Sequence, residues 1–207
     1  MDDAAFDHAL IGAAFTLAAE RGWHHVSVAA AAQAADLPLA RARERFPGRH
    51  MILLRFGRLA DQAALAEATL EGSARDRLFG LLMRRIDALQ SHRAGMLALL
   101  GSLPARPRTA LWLAFATRRS MQWMLEASGI RTGGLRGELR VKGLMAVWLW
   151  TISAWRTDQT EHLDVTMTAL DKALSRTEQI AGFLGWRNRP ETPPSGASTD
   201  PPPDAAA

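Results

Sequence analysis

The chain of 207 residues contains no cysteine and no tyrosine, and only two of its 25 basic residues are lysines, Lys142 and Lys172. Without cysteine there are no disulfides and no thiolate metal sites, which fits a cytoplasmic protein. Because so few groups titrate between neutral pH and the pKa of arginine, the isoelectric point of 10.8 overstates how basic the chain is. The formal net charge of +4 is the better measure of its basicity.

Long apolar runs are also missing. The most hydrophobic stretch, from Gly143 to Trp155, lies between Lys142 and Arg156. It is shorter than the roughly 20 residues that a transmembrane helix needs, so a buried helix is expected there. The first residues are acidic and do not show the basic-then-apolar order of a signal peptide. We therefore expect no transmembrane segment and a cytoplasmic location.

The usual signals of β-strands are absent, whereas helical spacing of apolar residues recurs along the chain. Ser27 is placed to cap a second helix, and Asp36 and Pro38 mark a tight break before a third. An all-α fold is predicted, and its expected helices lie at about 2–22, 27–35, 38–46, 49–67, 74–91, 94–103, 107–127, 136–156 and 161–184.

The order of these helices along the chain predicts three structural regions. Residues 1–48 form a small head with a helix-turn-helix, and residues 49–187 form a larger helical bundle for ligand binding and dimerisation. Residues 188–207 are rich in proline and lack large apolar side chains, so this tail is expected to be disordered.

Most of the basic charge is concentrated in residues 38–60, where six arginines face one acid, Glu44. Two short helices joined by a tight turn, the second of them basic, suggest a DNA-reading helix-turn-helix. The alternative is a solvated arginine-rich face. The arginines of this segment are Arg41, Arg43, Arg45, Arg49, Arg55 and Arg58.

Helical spacing divides the basic helix into two sides. Leu39, Ala42 and Phe46 form one stripe that is expected to pack inward, which leaves Arg41 and Glu44 pointing outward. In the DNA-reading interpretation, Arg41 and Arg43 contact bases, and Arg45 and Arg49 contact phosphates. The full set of predicted DNA-binding residues is Ser27, Ala40, Arg41, Arg43, Arg45 and Arg49.

Residues 6–56 resemble the N-terminal domain of TetR-family transcriptional regulators. The resemblance rests on the segment Glu20-Arg21-Gly22-Trp23, on the helix cap at Ser27, on Phe46, and on Arg49 where the family has lysine. It implies a TetR-like fold, a double-stranded DNA operator as partner and a homodimer. The chain departs from the family pattern at Asp36 (usually glycine), Pro38 (usually serine) and Arg43 (usually tyrosine).

Residues 75–175 are similar to the lipid-binding accessory proteins of ubiquinone biosynthesis, which share the TetR fold. The residues that carry this similarity are Trp123, Ala127, Thr132, Arg140, Trp148, Asp158-Gln159-Thr160, Thr166 and Leu170-Asp171. It implies an alternative function, that of a lipid- or quinone-binding accessory protein.

Aromatic residues and methionines in the second half suggest a pocket for an unknown apolar ligand, although the same residues also suit a helical core. The candidates are Trp112, Phe115, Trp123, Met124, Met145 and Trp148.

Neither a catalytic group nor a cofactor motif is found. His24 and His25 are expected to point apart and so to make a poor metal pair. We predict a ligand-responsive TetR-type regulator that is not an enzyme and has no metal or cofactor.

Overall fold

A computed structural model of the chain describes residues 1–68 and 71–183, and all regular structure within them is helical.

The limits of the N-terminal helices are set by capping residues. Asp2 accepts a hydrogen bond from the backbone N–H of Ala5 (2.7 Å) at the start of the first helix. Ser27 accepts one from Ala30 (3.0 Å) at the start of the second. These caps confirm the predicted starts of both helices.

The described residues form nine α-helices and two short 3-10 turns, which confirms the all-α prediction. The turns are Trp23–His25 and Leu103–Ala105. The α-helices are α1 (Asp3–Arg21), α2 (Val28–Ala34), α3 (Leu39–Arg45), α4 (Arg49–Ala66), α5 (Ala74–Gln90), α6 (Arg93–Ser102), α7 (Pro107–Ala127), α8 (Gly134–Thr157) and α9 (Asp164–Phe183).

The turn between α2 and α3 depends on a left-handed backbone conformation at Asp36, whose φ is 51°. Aspartate is one of the few residues with a side chain that adopts this conformation readily. The turn closes with a hydrogen bond from the N–H of Leu37 to the carbonyl of Ala32 (2.8 Å). Asp36 therefore takes the backbone conformation for which glycine is usual at this turn.

A single apolar core connects the head to the bundle. α1 packs against α2 and α4 and, most extensively, against α6. Phe15 on α1 is in edge-to-face contact with Phe56 on α4, with ring centroids 4.7 Å apart. The predicted boundary between residues 48 and 49 falls at Gly48, the residue that precedes α4, and buried apolar side chains continue across it.

The last two helices pack against each other, and α9 also contacts α5. The buried carboxylate of Asp158 fixes the loop between them, because it accepts hydrogen bonds from the backbone N–H and the hydroxyl of both Thr160 and Thr166. Burial raises the pKa of Asp158, but these four donors outweigh it and hold the pKa well below its ordinary value.

The prediction of no transmembrane segment can be compared with the structure, whereas the predictions for the C-terminal end of the chain cannot. Among the described helices, none combines the length and the apolar character needed to cross a membrane. The predicted disordered tail, 188–207, and the predicted end of the last helix at residue 184 lie outside the described residues.

We expect Gly95 on α6 to be required for the contact with α1. A Cβ atom added at Gly95 would lie 2.3 Å from the carbonyl oxygen of Phe15, so the backbone of α1 would have to move. Gly95→Ala should lower the free energy of unfolding, measured by urea denaturation, by about 2 kcal/mol or more. Gly101→Ala on the same helix is the matched control, because a Cβ there meets no atom within 4 Å. It should stabilise the protein by about 0.5 kcal/mol. Equal stabilities for the two variants would contradict the close approach.

Candidate nucleic-acid interface

A surface groove of about 590 Å³ lies where the N-terminal ends of α2 and α4 meet one side of α3. Its floor is apolar and its rim carries two arginines and two histidines. The lining residues are His24, His25, Val26, Ser27, Val28, Ala29, Leu39, Ala42, Arg43, Phe46, Pro47, Gly48 and Arg49.

Three of the predicted DNA-binding residues line this groove: Ser27, Arg43 and Arg49. Arg43 is exposed, and its Nη1 donates to the carbonyl of Pro47 (2.8 Å). Arg49 is the first residue of α4, where backbone N–H groups have no partner within the helix and the helix dipole is positive. Ala40 is also exposed on α3. The groove therefore combines charged side chains with a helix end that favours anions.

The remaining two predicted residues face α1. Arg41 donates to the carbonyl of Met1 (3.1 Å) and to the carboxylate of Asp3 (2.5 Å), and its guanidinium lies 4.6 Å from the centroid of the Phe6 ring. Arg45 forms a bidentate pair with Asp7, with Nε and Nη2 at 2.8 and 2.9 Å from the two carboxylate oxygens. Both guanidinium groups thus hold α3 against the first helix.

Asp7 joins three helices. Its side chain is only 11% exposed, and it pairs with Arg45 of α3 and with Arg55 of α4. Arg55 also donates to the carbonyl of Arg45 (3.1 Å) and lies over the ring of Phe46. Burial raises the pKa of Asp7, but the bond from Arg45 and the charge of Arg55 outweigh it and keep the pKa below its ordinary value.

This cluster reduces the positive charge that residues 38–60 present to solvent. Arg41, Arg45 and Arg55 are neutralised in part by Asp3 and Asp7, two acids that are distant in sequence. Within the described part of the chain, the other three arginines of the segment have no carboxylate within ion-pair distance. These are Arg43, Arg49 and Arg58.

The predicted side-chain orientations need two corrections on α3 and one at the two histidines before α2. Ala42 and Phe46 are buried as expected, but Leu39 is 49% exposed because it is the first residue of the helix and lies at the groove. Arg41 does not point outward, since Asp3 and Phe6 attract its guanidinium. The rings of His24 and His25 do not point apart, because the 3-10 turn places their centroids 3.8 Å from each other. Within the described residues, no group of three or more possible metal ligands is found.

The candidate ligand residues of the bundle do not come together in one pocket. Met124 and Trp148 are buried, while Phe115 and Trp123 are 66% and 53% exposed. Phe115 and Met124 are nine residues apart on α7, which places them half a turn apart around the helix axis. Trp112 and Met145 are partly buried at the edge of the core. The six residues are therefore divided between the core of the bundle, the edge of that core and the outer surface.

Sequence reasoning missed a buried charged cluster inside the bundle. Arg85 of α5 is 6% exposed and forms an ion pair with Asp61 of α4, which also accepts a hydrogen bond from Ser120 of α7 (2.6 Å). The guanidinium lies 5.1 Å from the ring centroid of Trp148. Burial lowers the pKa of Arg85 to about 10, so it remains charged at neutral pH. The sequence feature that could have revealed this cluster is Arg85 itself, because it lies within an apolar stripe on α5. The stripe is formed by Leu81, Leu82, Ile86 and Leu89.

Comparison with solved structures identifies the architecture. A TetR transcriptional regulator from Nitrosomonas europaea matches with a TM-score of 0.68 and 22% sequence identity, over 84% of this chain and 99% of the other. The chain has the TetR fold. A TetR-family transcriptional regulator from Streptomyces coelicolor matches with a TM-score of 0.60 and 21% identity, over 88% and 85% of the two chains. No family model and no curated protein matches the chain. In this TetR fold, α2 and α3 are the two helices of the helix-turn-helix.

We expect Asp7 to be a main source of stability in the head. Asp7→Asn should lower the free energy of unfolding at neutral pH by about 2–3 kcal/mol, because two partly buried guanidinium groups lose their charged acceptor. Since the pKa of Asp7 is lowered in the folded state, this contribution is present at neutral pH and is lost as the pH falls below about 4. Urea denaturation of both proteins across this range measures the difference.

The matched control is Glu44→Gln, which neutralises an exposed carboxylate on α3. Its free energy of unfolding should stay within about 0.5 kcal/mol of the wild type. A difference between wild type and Asp7→Asn that does not shrink on acidification would contradict the role given to Asp7.

Proposed function

We propose that this chain is a TetR-type transcriptional regulator that binds double-stranded DNA as a homodimer and responds to a small ligand. The observation that carries the proposal is the groove at the helix-turn-helix, where the side chains of Arg43 and Arg49 have no acidic partner among the described residues. They lie beside the Ser27-capped end of α2 and the first turn of α4. This is the arrangement that a second helix in the major groove and flanking phosphate contacts require.

The roles within α3 follow from what each side chain contacts. Arg43 is the proposed base contact, and the small exposed side chain of Ala40 lets the helix approach the DNA closely. Arg49 and the end of α2 at Ser27 are the proposed phosphate contacts. We assign Arg41 and Arg45 the task of holding α3 in place, because Asp3 and Asp7 engage them.

Dimerisation is proposed through α8 and α9. The two helices leave apolar side chains uncovered on their outer side, and a groove of about 640 Å³ runs between Trp150 and Ser153 of α8 and Val165 and Thr168 of α9. Trp150 is 58% exposed and Val165 is 49% exposed. A two-fold dimer would bury these side chains and present two recognition helices about one DNA turn apart, roughly 34 Å.

A second candidate function is the lipid- or quinone-binding accessory role. The ion pairs of Arg41, Arg45 and Arg55 with the acids of α1 favour it, because they leave the helix-turn-helix less basic than its sequence suggests. The two functions differ in whether the chain binds DNA.

We expect Arg43→Ala and Arg49→Ala to weaken DNA binding in different ways. Losing the base contact of Arg43 should cost about 1–3 kcal/mol and relax the preference at one base pair. Losing the phosphate contact of Arg49 should weaken binding to all sequences and reduce the salt slope by about one. Fluorescence anisotropy with DNA from the upstream region of its own gene measures both effects. Arg119→Ala, at an exposed arginine on α7, is the control and should bind like the wild type.

The wild type must show salt-dependent, sequence-preferring binding in this experiment. If it does not, the regulator proposal fails and the accessory role takes its place.

We expect Trp150→Glu to separate the dimer. An exposed tryptophan at the centre of an interface contributes about 2 kcal/mol or more, so dissociation should become easier by at least about 30-fold. Sedimentation analysis measures the change, and circular dichroism checks that the helices are retained. Trp123→Glu is the matched control, because Trp123 is equally exposed but lies on α7. A wild-type chain that is monomeric at micromolar concentration would rule out this interface.

A further inference from the structure

A second group of arginines lies outside the helix-turn-helix, at the start of α7. Between Asp87 and Glu126 the chain carries five arginines and no acidic residue. Two of them, Arg106 and Arg108, flank Pro107, the first residue of α7. Neither side chain has a carboxylate within ion-pair distance among the described residues, and Arg108 is exposed. Their charge is therefore available to an anionic partner.

Helix α7 runs beside α4 in the same direction. The ring of Trp112 on α7 lies beside that of His50 on α4, with the ring centroids 5.9 Å apart. Further along both helices, the hydroxyl of Ser120 on α7 donates to the carboxylate of Asp61 on α4 (2.6 Å). Because these two contacts follow the same order along both helices, α4 and α7 begin at the same end of the bundle. This is the end at which the first turn of α4 borders the groove.

The start of α7 extends beyond the start of α4. Five residues of α7 precede Trp112, whereas only Arg49 precedes His50 on α4. At about 1.5 Å per residue, α7 therefore reaches roughly 6 Å further at the end where the groove lies. Arg108 is one helical turn before Trp112, so it lies on the face of α7 that Trp112 turns toward α4. Arg49 and Arg108 thus lie on neighbouring helices at one end of the molecule.

The connection that leads into α7 is stiff. Leu103–Ala105 form a 3-10 turn, and the N–H of Arg106 donates to the carbonyl of Leu103 (2.9 Å). Pro104 and Pro107 fix two φ angles of this segment. A charged group on a stiff support loses less conformational entropy on binding than one on a flexible loop. The connection therefore favours a contact made by the arginines at the start of α7.

We propose that Arg106 and Arg108 bind the phosphate backbone of DNA beside the phosphate that Arg49 contacts, so that α7 as well as the helix-turn-helix holds the duplex. This inference rests on the proposed function. A guanidinium binds a phosphate through charge-assisted hydrogen bonds, and such contacts read no sequence. DNA is the anionic partner that fits, because a duplex carries roughly one negative charge per 1.7 Å of its axis and so presents phosphates to both sets of arginines.

The test measures how DNA affinity depends on salt, by fluorescence anisotropy from about 50 to 300 mM NaCl. The double variant Arg106→Ala, Arg108→Ala should reduce the salt slope by about two, because each phosphate contact contributes about 0.9 to it. Binding at about 0.15 M salt should weaken by roughly fivefold for each arginine. The loss should be the same for DNA from the upstream region of its own gene and for an unrelated duplex, since phosphate contacts carry no sequence information.

Two further variants separate a local contact from a change in net charge or in folding. Arg106→Lys, Arg108→Lys keeps both charges and should keep most of the salt slope. Arg119→Ala, Arg131→Ala removes two exposed charges further along α7 and just after it, away from the groove, and should bind DNA like the wild type. Circular dichroism checks that each variant retains its helices.

The outcomes distinguish this inference from the function on which it rests. If the wild type binds DNA and the double alanine variant keeps the same salt slope, the contact from α7 is wrong and the regulator proposal stands. An equal loss in Arg119→Ala, Arg131→Ala, or a loss in the lysine variant as large as in the alanine variant, would also overturn the contact. A wild type that binds no DNA would reject both proposals.

Discussion

The position of α3 depends on one buried carboxylate, that of Asp7. It accepts hydrogen bonds from Arg45 of α3 and Arg55 of α4, so a single side chain of α1 fixes two of the three helices that border the groove. The geometry is bidentate for Arg45, which sets the rotation of α3 about its axis as well as its distance from α1. Because Arg45 and Asp3 also interact, the start of α1 belongs to the same network.

A second carboxylate, that of Asp61, plays a similar part further along α4, where it is partly buried. Asp61 pairs with Arg85 of α5 and accepts a hydrogen bond from Ser120 of α7. α4 is therefore held by ionic contacts at two levels: to the head through Arg55 and to the bundle through Asp61. Buried ion pairs add little net stability compared with apolar packing, but breaking one partner is costly. Such contacts suit a helix whose position must be specific.

The outer surface of the bundle differs from these ionic contacts, because it carries exposed apolar side chains. Large apolar side chains on the outer side of α8 and α9 remain uncovered although the interior is well packed around Trp148 and Trp155. An uncovered stripe along two adjacent helices is the usual mark of an interface between proteins. In this chain the inner face of α8 packs into the core and its outer face is exposed, because Trp148 and Trp150 lie on opposite sides of the helix.

The sequence by itself determined the helices and their ends. Caps at Asp2 and Ser27, the break at Asp36 and the spacing of apolar residues act over a few neighbours, and such local rules can be read from the chain. Only the tertiary structure decided which of the described arginines are paired with carboxylates. Asp3 and Asp7 meet arginines 38 or more residues away, and Arg85 meets Asp61 across two helices. Charge pairing acts through space, so a local count of arginines gave the composition of the basic segment but not the charge it presents to solvent.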